Sequence, residues 1–457
     1  MKTIRIGNAA GFWGDSLYAP RRLAEAGALD YLTLEYLAEL TMSVLANQQS
    51  RNPDLGYVTD LPIVVRDLLP ALESQPGLRV ITNAGGVNPE SCARSVSQIL
   101  ADVGLADMAV AAVDGDNLLP NLERLRSQGE EFVNMETGRP LSDVSAEVGS
   151  AHAYLGARGI VDALGQGARI VITGRVADAS LLVGPCVHEF GWKWDDWQKL
   201  ATATVAGHIT ECGGQCTGGM YSDLPLDMPL ADSGYPIAEM NDADSFVITK
   251  AEGTGGLVTT GTISEQLMYE IGDPASYLTP DVDTDFTQVR LTQEGESRVR
   301  VSGARGKPAP ERYKVSLAYH DGYVASATLV LCGRNARQRG RQAAEMVLER
   351  VRLSGYELER TNYEILGGGD SVPGVWPETE EPWEVVVRIS AHDKSREAVA
   401  RLTREVAPLV TSGPPGVTGY VGSRPRPQRV LAYWPTSIAR DRVAPNAMVR
   451  PAGEWTS

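Results

Sequence analysis

The first 200 residues alternate short apolar runs with longer amphipathic stretches. The apolar runs Thr3–Ile6, Leu78–Thr82, Asp107–Val113 and Ala168–Thr173 each end in a short loop that contains glycine. Short apolar runs bounded by turn residues indicate buried strands, and the amphipathic stretches after them indicate helices. Repeated strand, loop and helix units build a parallel sheet. We therefore expect a doubly wound, mostly parallel α/β fold in this region.

The pattern changes after residue 286, where strand-like alternation recurs in consecutive segments. Four such segments lie between residues 287 and 332, and helical periods follow near 335–352 and 394–408. Hairpin-like strands followed by helices favour a C-terminal α+β two-layer sandwich. The expected divisions are an α/β domain with glycine-rich ligand loops, the sandwich, and a Pro/Gly-rich wrapping tail: 1–285, 286–410 and 411–457.

Charge and composition exclude several function classes. The chain has 457 residues, of which 58 are Asp or Glu and 42 are Lys or Arg, so its formal net charge is −16. Such a field repels nucleic acids and anionic membrane surfaces, so we expect neither as a partner. The N-terminus shows no signal-peptide core, no apolar run reaches about 18 residues, and the five cysteines are sparse. These features predict a cytoplasmic protein without disulfide bonds.

Glycine is more frequent than usual: 47 of the 457 residues are glycine, about a tenth of the chain against a usual share of ~7%. Glycine pairs at 213–214, 218–219 and 255–256 would weaken any packed element, and a bound ligand would compensate for that cost. A tight turn is the alternative for the last pair, beside Lys250. Loops after parallel strands line the ligand crevice of such sheets. The predicted substrate-binding residues are Asn8, Gly11, Asn83, Gly85, Gly86, Arg175, Gly218, Gly219, Lys250, Thr254, Gly255 and Gly256.

The most concentrated polar cluster runs from His208 to Cys216. If a helix extends through Cys212, then His208, Glu211 and Cys212 share one face. That face could bind zinc, or it could pair a carboxylate base with an activated thiol. Buried thiols that pack as small hydrophobes are the alternative, which we favour over a metal site. Glu211 is the predicted general base or acid, with Cys212 and Gln215 as its neighbours.

Charged side chains also follow two predicted strands. Asp114 follows one strand, and Arg175 and Asp178 follow another. An arginine there could hold a substrate carboxylate through two hydrogen bonds while an aspartate moves protons. Capping of the next helix by Asp116 or Asp178 is the alternative. The loop after the first strand departs from the dinucleotide fingerprint, so no nicotinamide cofactor is expected.

An ordered set of motifs spans nearly the whole chain. They are Gly7–Asp15, Asn83–Gly86, Thr173–Asp178, Glu211–Cys212 with Thr217–Gly219, Gly253–Gly256, Glu265–Ile271 into Asp273–Pro274, and Ser412–Gly419. This set resembles the acyclic terpene utilisation (AtuA-like) family. The resemblance implies bacterial catabolism of citronellol- and geraniol-type compounds as branched acyl-CoA thioesters. Many members carry an additional small C-terminal domain, which we expect this sequence to lack; either a separate small protein supplies that domain, or this member works without it on another substrate.

Together these features predict a cytoplasmic homo-oligomeric enzyme that acts on a branched carboxylated small molecule or its acyl-CoA thioester. The expected chemistry is proton abstraction with hydration, dehydration or a related lyase step, without a defined cofactor. The catalytic candidates are Glu211, Cys212, Gln215, Asp114 and Asp178. The alternative is a non-catalytic acyl-CoA-binding or scaffold subunit that needs the small partner, and a metal-dependent enzyme is a third option.

Overall fold

The computed structural model describes residues 2–375, 381–420 and 425–456; residues 421–424 and 457 of the expected tail therefore lie outside the described residues. The chain forms two compact units, the first made of Met1–Ala318 with Tyr433–Ser457 and the second of Tyr319–Ala432. These bounds differ from the expected divisions at 285 and 410. The reason is that strands after residue 285 and strands of the tail pair with strands of the first unit.

The elements follow in chain order. The strands are β1 (Thr3–Asn8), β2 (Tyr31–Leu34), β3 (Arg79–Thr82), β4 (Ala109–Asp114), β5 (Val148–Ala153), β6 (Ile170–Thr173), β7 (Pro236–Asn241), β8 (Ser245–Lys250), β9 (Tyr277–Leu278), β10 (Asp283–Asp285), β11 (Arg290–Gly295), β12 (Arg298–Ser302), β13 (Arg305–Lys307), β14 (Arg312–Cys332), β15 (Arg360–Leu366), β16 (Glu384–Asp393), β17 (Val417–Tyr420), β18 (Gln428–Ala439) and β19 (Asn446–Pro451). The helices are α1 (Ala19–Ala26), α2 (Glu39–Arg51), α3 (Leu61–Ser74), α4 (Pro89–Asp102), α5 (Leu122–Ser127), α6 (Arg158–Gly165), α7 (Ser180–Phe190), α8 (Trp197–Thr210), α9 (Thr260–Met268), α10 (Ala336–Leu353), α11 (Arg396–Val406), α12 (Leu409–Ser412) and α13 (Ala452–Trp455). Among these described helices, none is both long and apolar enough to cross a bilayer.

The first unit is built on one mixed sheet with the strand order β11-β12-β8-β7-β1-β2-β3-β6-β4-β19. The central strands β1, β2, β3, β6 and β4 are parallel. The strands added at both ends are antiparallel. The expected mostly parallel arrangement is therefore limited to the centre of the sheet. There, β1, β2 and β3 lie side by side in the order in which they follow along the chain. The glycine-rich segment and the tail contribute β7, β8 and β19, which the sequence pattern did not indicate as strands.

Helices cover both faces of the parallel centre. Helices α1, α3, α4 and α13 pack against one another, and α6, α7 and α8 form a second packed series. Alternate strand residues serve the two faces: Val80 and Ile172 belong to the core under the first series, whereas the equally buried Ile81 and Val171 lie outside it. Helix α8 also packs against β10 and β13 of a small antiparallel sheet. Since α8 also contacts β7 and β8 of the large sheet, it lies between two sheets.

The start of α4 shows how the local sequence sets an element. The Asn88 side chain accepts a hydrogen bond from the backbone N–H of Ser91, and Pro89 occupies the first helical position. Both residue types are common at these positions of helix starts. The helix places the preceding loop, Asn83–Val87, at the carboxyl end of β3.

The second unit is an antiparallel sheet with the order β15-β16-β14-β17. Helices α10 and α11 pack together and against β16, and they enclose a core that includes Val347, Val387 and Leu402. The last two of the four strand-like segments predicted between residues 287 and 332 form the single long strand β14. Its first residues belong to the first unit, where they approach the site described next.

Candidate active site

Polar side chains gather where the parallel strands end. Asn8 ends β1, Glu35 follows β2, Asn83 follows β3, and Arg175 follows β6. All four side chains are buried, with exposed fractions of 4% or less. Because the carboxyl ends of parallel strands meet at one edge of a sheet, these residues come together in space. This edge is the candidate active site.

Glu35 and Asn83 form a closed pair in this edge. The Asn83 Nδ2 group donates to both carboxylate oxygens of Glu35 at 2.6 Å, and its Oδ1 accepts from the Tyr36 N–H. Burial, together with the nearby Asp178 carboxyl, raises the pKa of Glu35 well above its usual value. Asn83 therefore holds Glu35 in place, and its amide has no free donor directed towards a ligand.

Arg175 is a fully enclosed cation. Its Nη1 donates to the Leu37 carbonyl at 2.6 Å and lies 2.9 Å from Asp178 Oδ1 and 4.0 Å from Glu35 Oε1. Burial opposes the charge, but these acidic neighbours raise the pKa of Arg175 well above its usual value. Its buried Nε has no hydrogen-bond partner among the described residues. Arg175 thus offers a fixed positive charge with an unused N–H donor.

The aromatic ring of Tyr154 packs against the Arg175 guanidinium. The guanidinium lies 4.1 Å from the Tyr154 ring centroid, and Lys314 Nζ lies 4.8 Å from the same centroid. The Tyr154 hydroxyl donates to Glu39 at 2.7 Å, and Lys314 pairs with the same carboxylate at 2.9 Å. Burial opposes ionisation of Glu39, but Lys314 and the hydroxyl lower its pKa to about 2. These contacts hold the Arg175 guanidinium in place.

Asp116, rather than the predicted Asp114, supports the Arg175 loop. Asp116 Oδ2 accepts from the Arg175 backbone N–H at 3.1 Å and lies 2.7 Å from His152 Nδ1. Asp114 instead accepts from Asn446 of β19 at 3.0 Å. The Asp114 side chain therefore lies where β4 pairs with β19, and no hydrogen bond among the described residues connects it to Arg175.

Glu211 and His208 form a buried acid–base pair at the end of α8. His208 Nδ1 lies 3.1 Å from Glu211 Oε1, and their exposed fractions are 0% and 8%. The His208 ring packs against Tyr277 and, edge-on, against Phe286, with centroids 5.5 and 5.6 Å away. Glu211 Oε2 and His208 Nε2 have no hydrogen-bond partner in the described structure. The pair thus has one unsatisfied atom on each residue.

The ionisation of this pair is shifted towards neutral pH. Burial, with the Asp178 and Glu270 carboxyls nearby, raises the pKa of Glu211 to about 7, although His208 acts against the shift. Burial opposes the charged form of His208, but Glu211 outweighs it and raises the pKa of His208. Burial likewise raises the pKa of Asp178, against the effect of Arg175. A carboxyl with a pKa near 7 is suited to both accepting and releasing a proton.

Asn8 and Gly11 fix the position of Glu211. Asn8 Nδ2 donates to the carbonyls of Thr210 and Glu211 at 2.7 and 3.0 Å, which satisfies the end of α8. A Cβ atom at Gly11 would lie 2.7 Å from the carbonyl carbon of Cys212. Only glycine allows the β1 loop to approach this closely. Both residues were predicted to bind substrate, and the structure gives them a positioning role.

A family model described as acyclic terpene utilisation family protein AtuA matches residues 4–449. The chain belongs to this family. The match extends through both units. No curated protein and no solved structure matches the chain.

The predicted thiol chemistry finds little support in this AtuA-family protein. Burial, with Glu211 beside it, raises the pKa of Cys212 to about 12, so the thiol stays protonated at neutral pH. Gln215 ends a short 3₁₀ turn that begins at Gly213, directly after this thiol. Among the described residues, no group of three or more His, Cys, Asp or Glu side chains is arranged to hold a metal ion. Within this cluster, the pKa of the Glu211 carboxyl therefore lies closer to neutral pH than the pKa of the Cys212 thiol.

The second predicted anion site, at Lys250, has a different structure. Lys250 Nζ donates to the Thr254 carbonyl at 2.6 Å, and a Cβ atom at Gly255 would lie 1.8 Å from the Pro229 carbonyl oxygen. The loop therefore uses glycine for a close crossing of its own backbone. The other predicted glycines also lie against neighbouring atoms: Gly85, Gly86, Gly218, Gly219 and Gly256. The structure gives these glycines a packing role and joins none of them by hydrogen bonds to Arg175.

Sequence reasoning missed several residues of the site. Glu35 lies between β2 and α2, where strand and helix periods overlap. His208 was considered only as a metal ligand. Tyr154 directly follows strand β5 and Lys314 lies on strand β14; the two strands are distant in sequence, and nothing local links these residues to Arg175. Acidic or basic residues directly after predicted strands were the one signal that could have indicated Glu35.

Proposed function

We propose that this AtuA-family protein is an enzyme of acyclic terpene utilisation that removes a proton beside the carbonyl of a branched carboxylic acid or its CoA thioester. The observation that carries the proposal is the buried Glu211, whose pKa of about 7 and unpartnered Oε2 suit a general base. The unpartnered Nε–H of Arg175 supplies a donor for the substrate oxygen. No cofactor is needed for this step.

The reaction proceeds through an enolate. Glu211 Oε2 accepts the proton from the carbon beside the carbonyl, and the electrons of the broken C–H bond move to the carbonyl oxygen. Arg175 stabilises the negative oxygen through its charge and its Nε–H. His208 Nδ1 stabilises the Glu211 carboxyl through the 3.1 Å contact. Burial, which raises the pKa of Glu211, keeps the proton on this carboxyl while the enolate forms.

Dehydration completes the proposed reaction. The enolate expels a hydroxyl group from the next carbon, and Asp178 donates the proton that makes the leaving group water. Asp178 suits this role because desolvation of its carboxyl raises its pKa while its half-buried side chain, 32% exposed, leaves a path for water. Hydration of a double bond is the same sequence reversed.

One observation favours a second candidate, an acyl-CoA-binding subunit that acts with a separate small protein. The Gly255 N–H donates to the Asp232 carbonyl and the Gly219 N–H to the Gly214 carbonyl. These backbone donors are therefore already used and cannot stabilise an enolate. A partner could supply the missing donors, in which case the isolated chain would bind acyl-CoA without turnover.

The test is deuterium exchange. The CoA thioester and the free acid of an acyclic terpene are incubated with the protein in D₂O, and mass spectrometry follows deuterium uptake next to the carbonyl. Glu211→Gln should slow exchange by roughly 10²- to 10⁴-fold. Glu123→Gln, at a carboxylate that is 83% exposed, is the matched control and should exchange at the wild-type rate. Full exchange by Glu211→Gln would refute the proposal, whereas binding without exchange by the wild type would favour the binding subunit.

A further inference from the structure

An apolar groove lies in the first unit beside α9. Its volume is about 660 Å³, within the range of small-molecule sites. Aliphatic and aromatic side chains form most of its wall, including Met268, Ile271, Phe286, Val289 and Leu291. Met268 is 79% exposed, which is unusual for a large apolar side chain without a partner. No charged side chain lines the groove among the described residues.

The groove shares its wall with the candidate active site. Phe286 lines the groove and packs edge-on against His208, the partner of Glu211. Gln266 of α9, the neighbour of the groove residue Leu267, donates to the His208 carbonyl at 3.3 Å. One layer of side chains therefore separates the groove from the acid–base pair.

The segment Met268–Ile271 joins the two regions at the surface. Met268 and Ile271 face the groove. Between them, the Glu270 carboxyl helps to raise the pKa of Glu211. Burial and Glu270 raise the pKa of the Tyr269 hydroxyl to about 12, and Cys212 and Glu211 add to this shift. Glu270 has a φ of +57°, a left-handed conformation that a non-glycine residue adopts rarely. Such strain is concentrated at functional sites, and here it turns the chain between a charged region and an apolar one.

The geometry points to a subsite in which the groove holds the hydrocarbon tail of the substrate while Arg175 and Glu211 hold its carbonyl end. This assignment rests on the proposed function and names its substrate class: a flexible amphiphile with a carboxylate or thioester head and an apolar chain that crosses Tyr269 and Glu270. Short polar acids would leave the groove empty and bind weakly.

The test measures affinity as a function of chain length. Calorimetry compares hexanoate, octanoate and decanoate, which lack the hydroxyl group and double bond of the proposed reaction. Each methylene that enters the groove should tighten binding up to about fourfold. Met268→Gln should lower this factor to below about twofold, because a polar end replaces an apolar one in the wall. Val103→Gln, at an apolar side chain that is 45% exposed elsewhere in this unit, should keep the wild-type slope.

Further variants and ligands distinguish an error in the groove assignment from an error in the proposed function. Val289→Trp should fill the groove and reduce decanoate to the affinity of hexanoate, and matching alcohols should show the same slope as the acids. A slope for alcohols with no advantage for acids would support the groove and overturn anchoring at Arg175. A flat wild-type slope, with hexanoate binding lost in Arg175→Gln, would overturn the groove and leave the proposed function standing. A change of oligomeric state in Met268→Gln without a change of slope would also overturn the subsite, since it would identify the face as a protein contact.

Discussion

Replacing Glu211 by Gln should stabilise the protein above neutral pH. The pKa of Glu211 is about 7 in the folded protein and near 4.5 for an unperturbed carboxyl. A group with a raised pKa contributes stability that is present below its unfolded value and lost as the pH rises through its folded value. At 1.36 kcal/mol per unit, ionising Glu211 in the folded state costs about 3 kcal/mol. Glutamine has the same shape and stays neutral, so it avoids this cost.

Part of the gain is offset, because His208 loses the carboxyl that raises its own pKa. The expected net gain in the free energy of unfolding is about 1–3 kcal/mol near pH 8 and close to zero near pH 5. Thermal and denaturant unfolding of wild type and Glu211→Gln at both pH values measure it, with Glu123→Gln as the exposed control. A variant that is less stable than wild type near pH 8, or a gain that is equal at both pH values, would refute the reasoning. Residues that serve function at the expense of stability show this pattern.

Three further predictions concern the residues around Glu211. Arg175→Gln should lower the free energy of unfolding by about 3–5 kcal/mol near neutral pH, measured by denaturant unfolding, because it leaves the buried Glu35 carboxyl and the half-buried Asp178 carboxyl without their cation. Asn8→Asp should lower it by about 1–3 kcal/mol, measured in the same way, because the Asp side chain cannot donate to the carbonyls that end α8. Cys212→Ser should keep the wild-type rate of deuterium exchange within about tenfold, and the wild-type thiol should react slowly with iodoacetamide at neutral pH, because its pKa is about 12.

Each of these predictions can be contradicted. For Arg175, a loss that stays constant as the pH falls through the carboxyl titrations would show that uncompensated charge is not its cause. For Asn8, a neutral effect of the substitution would mean that water replaces the lost donors. For Cys212, rapid alkylation of the wild-type thiol, or loss of exchange in the serine variant, would restore the nucleophile hypothesis.

The parallel centre of the fold could be predicted because its signals are local. The strands before Asn8, Asn83 and Arg175 are short apolar runs that end in turn residues, and the start of α4 has its cap within four residues. The antiparallel flanks could not be predicted in the same way. Strands β7 and β8 lie inside a segment whose glycine content indicates loops, and β19 forms only because β4 offers it an edge.

The site was predicted in part for the same reason. Glu211, Arg175 and Asp178 follow recognisable elements, so their chemistry and their place on the chain were visible together. Helical spacing already predicted that His208 lies beside Glu211, but the burial of the pair at the end of α8 was not predicted, and Lys314 reaches Tyr154 from a strand more than 150 residues later. The opposite error occurred at Lys250, where a glycine loop beside a lysine indicated an anion site but closes on its own backbone.

The most direct test of the central claim is a crystal structure of the protein with a non-reactive CoA thioester of an acyclic terpene acid. We expect the thioester carbonyl oxygen to accept a hydrogen bond from Arg175 Nε and the adjacent carbon to lie about 3–3.5 Å from Glu211 Oε2. A ligand bound with its carbonyl at another edge of the sheet, with Arg175 and Glu211 still unengaged, would contradict it.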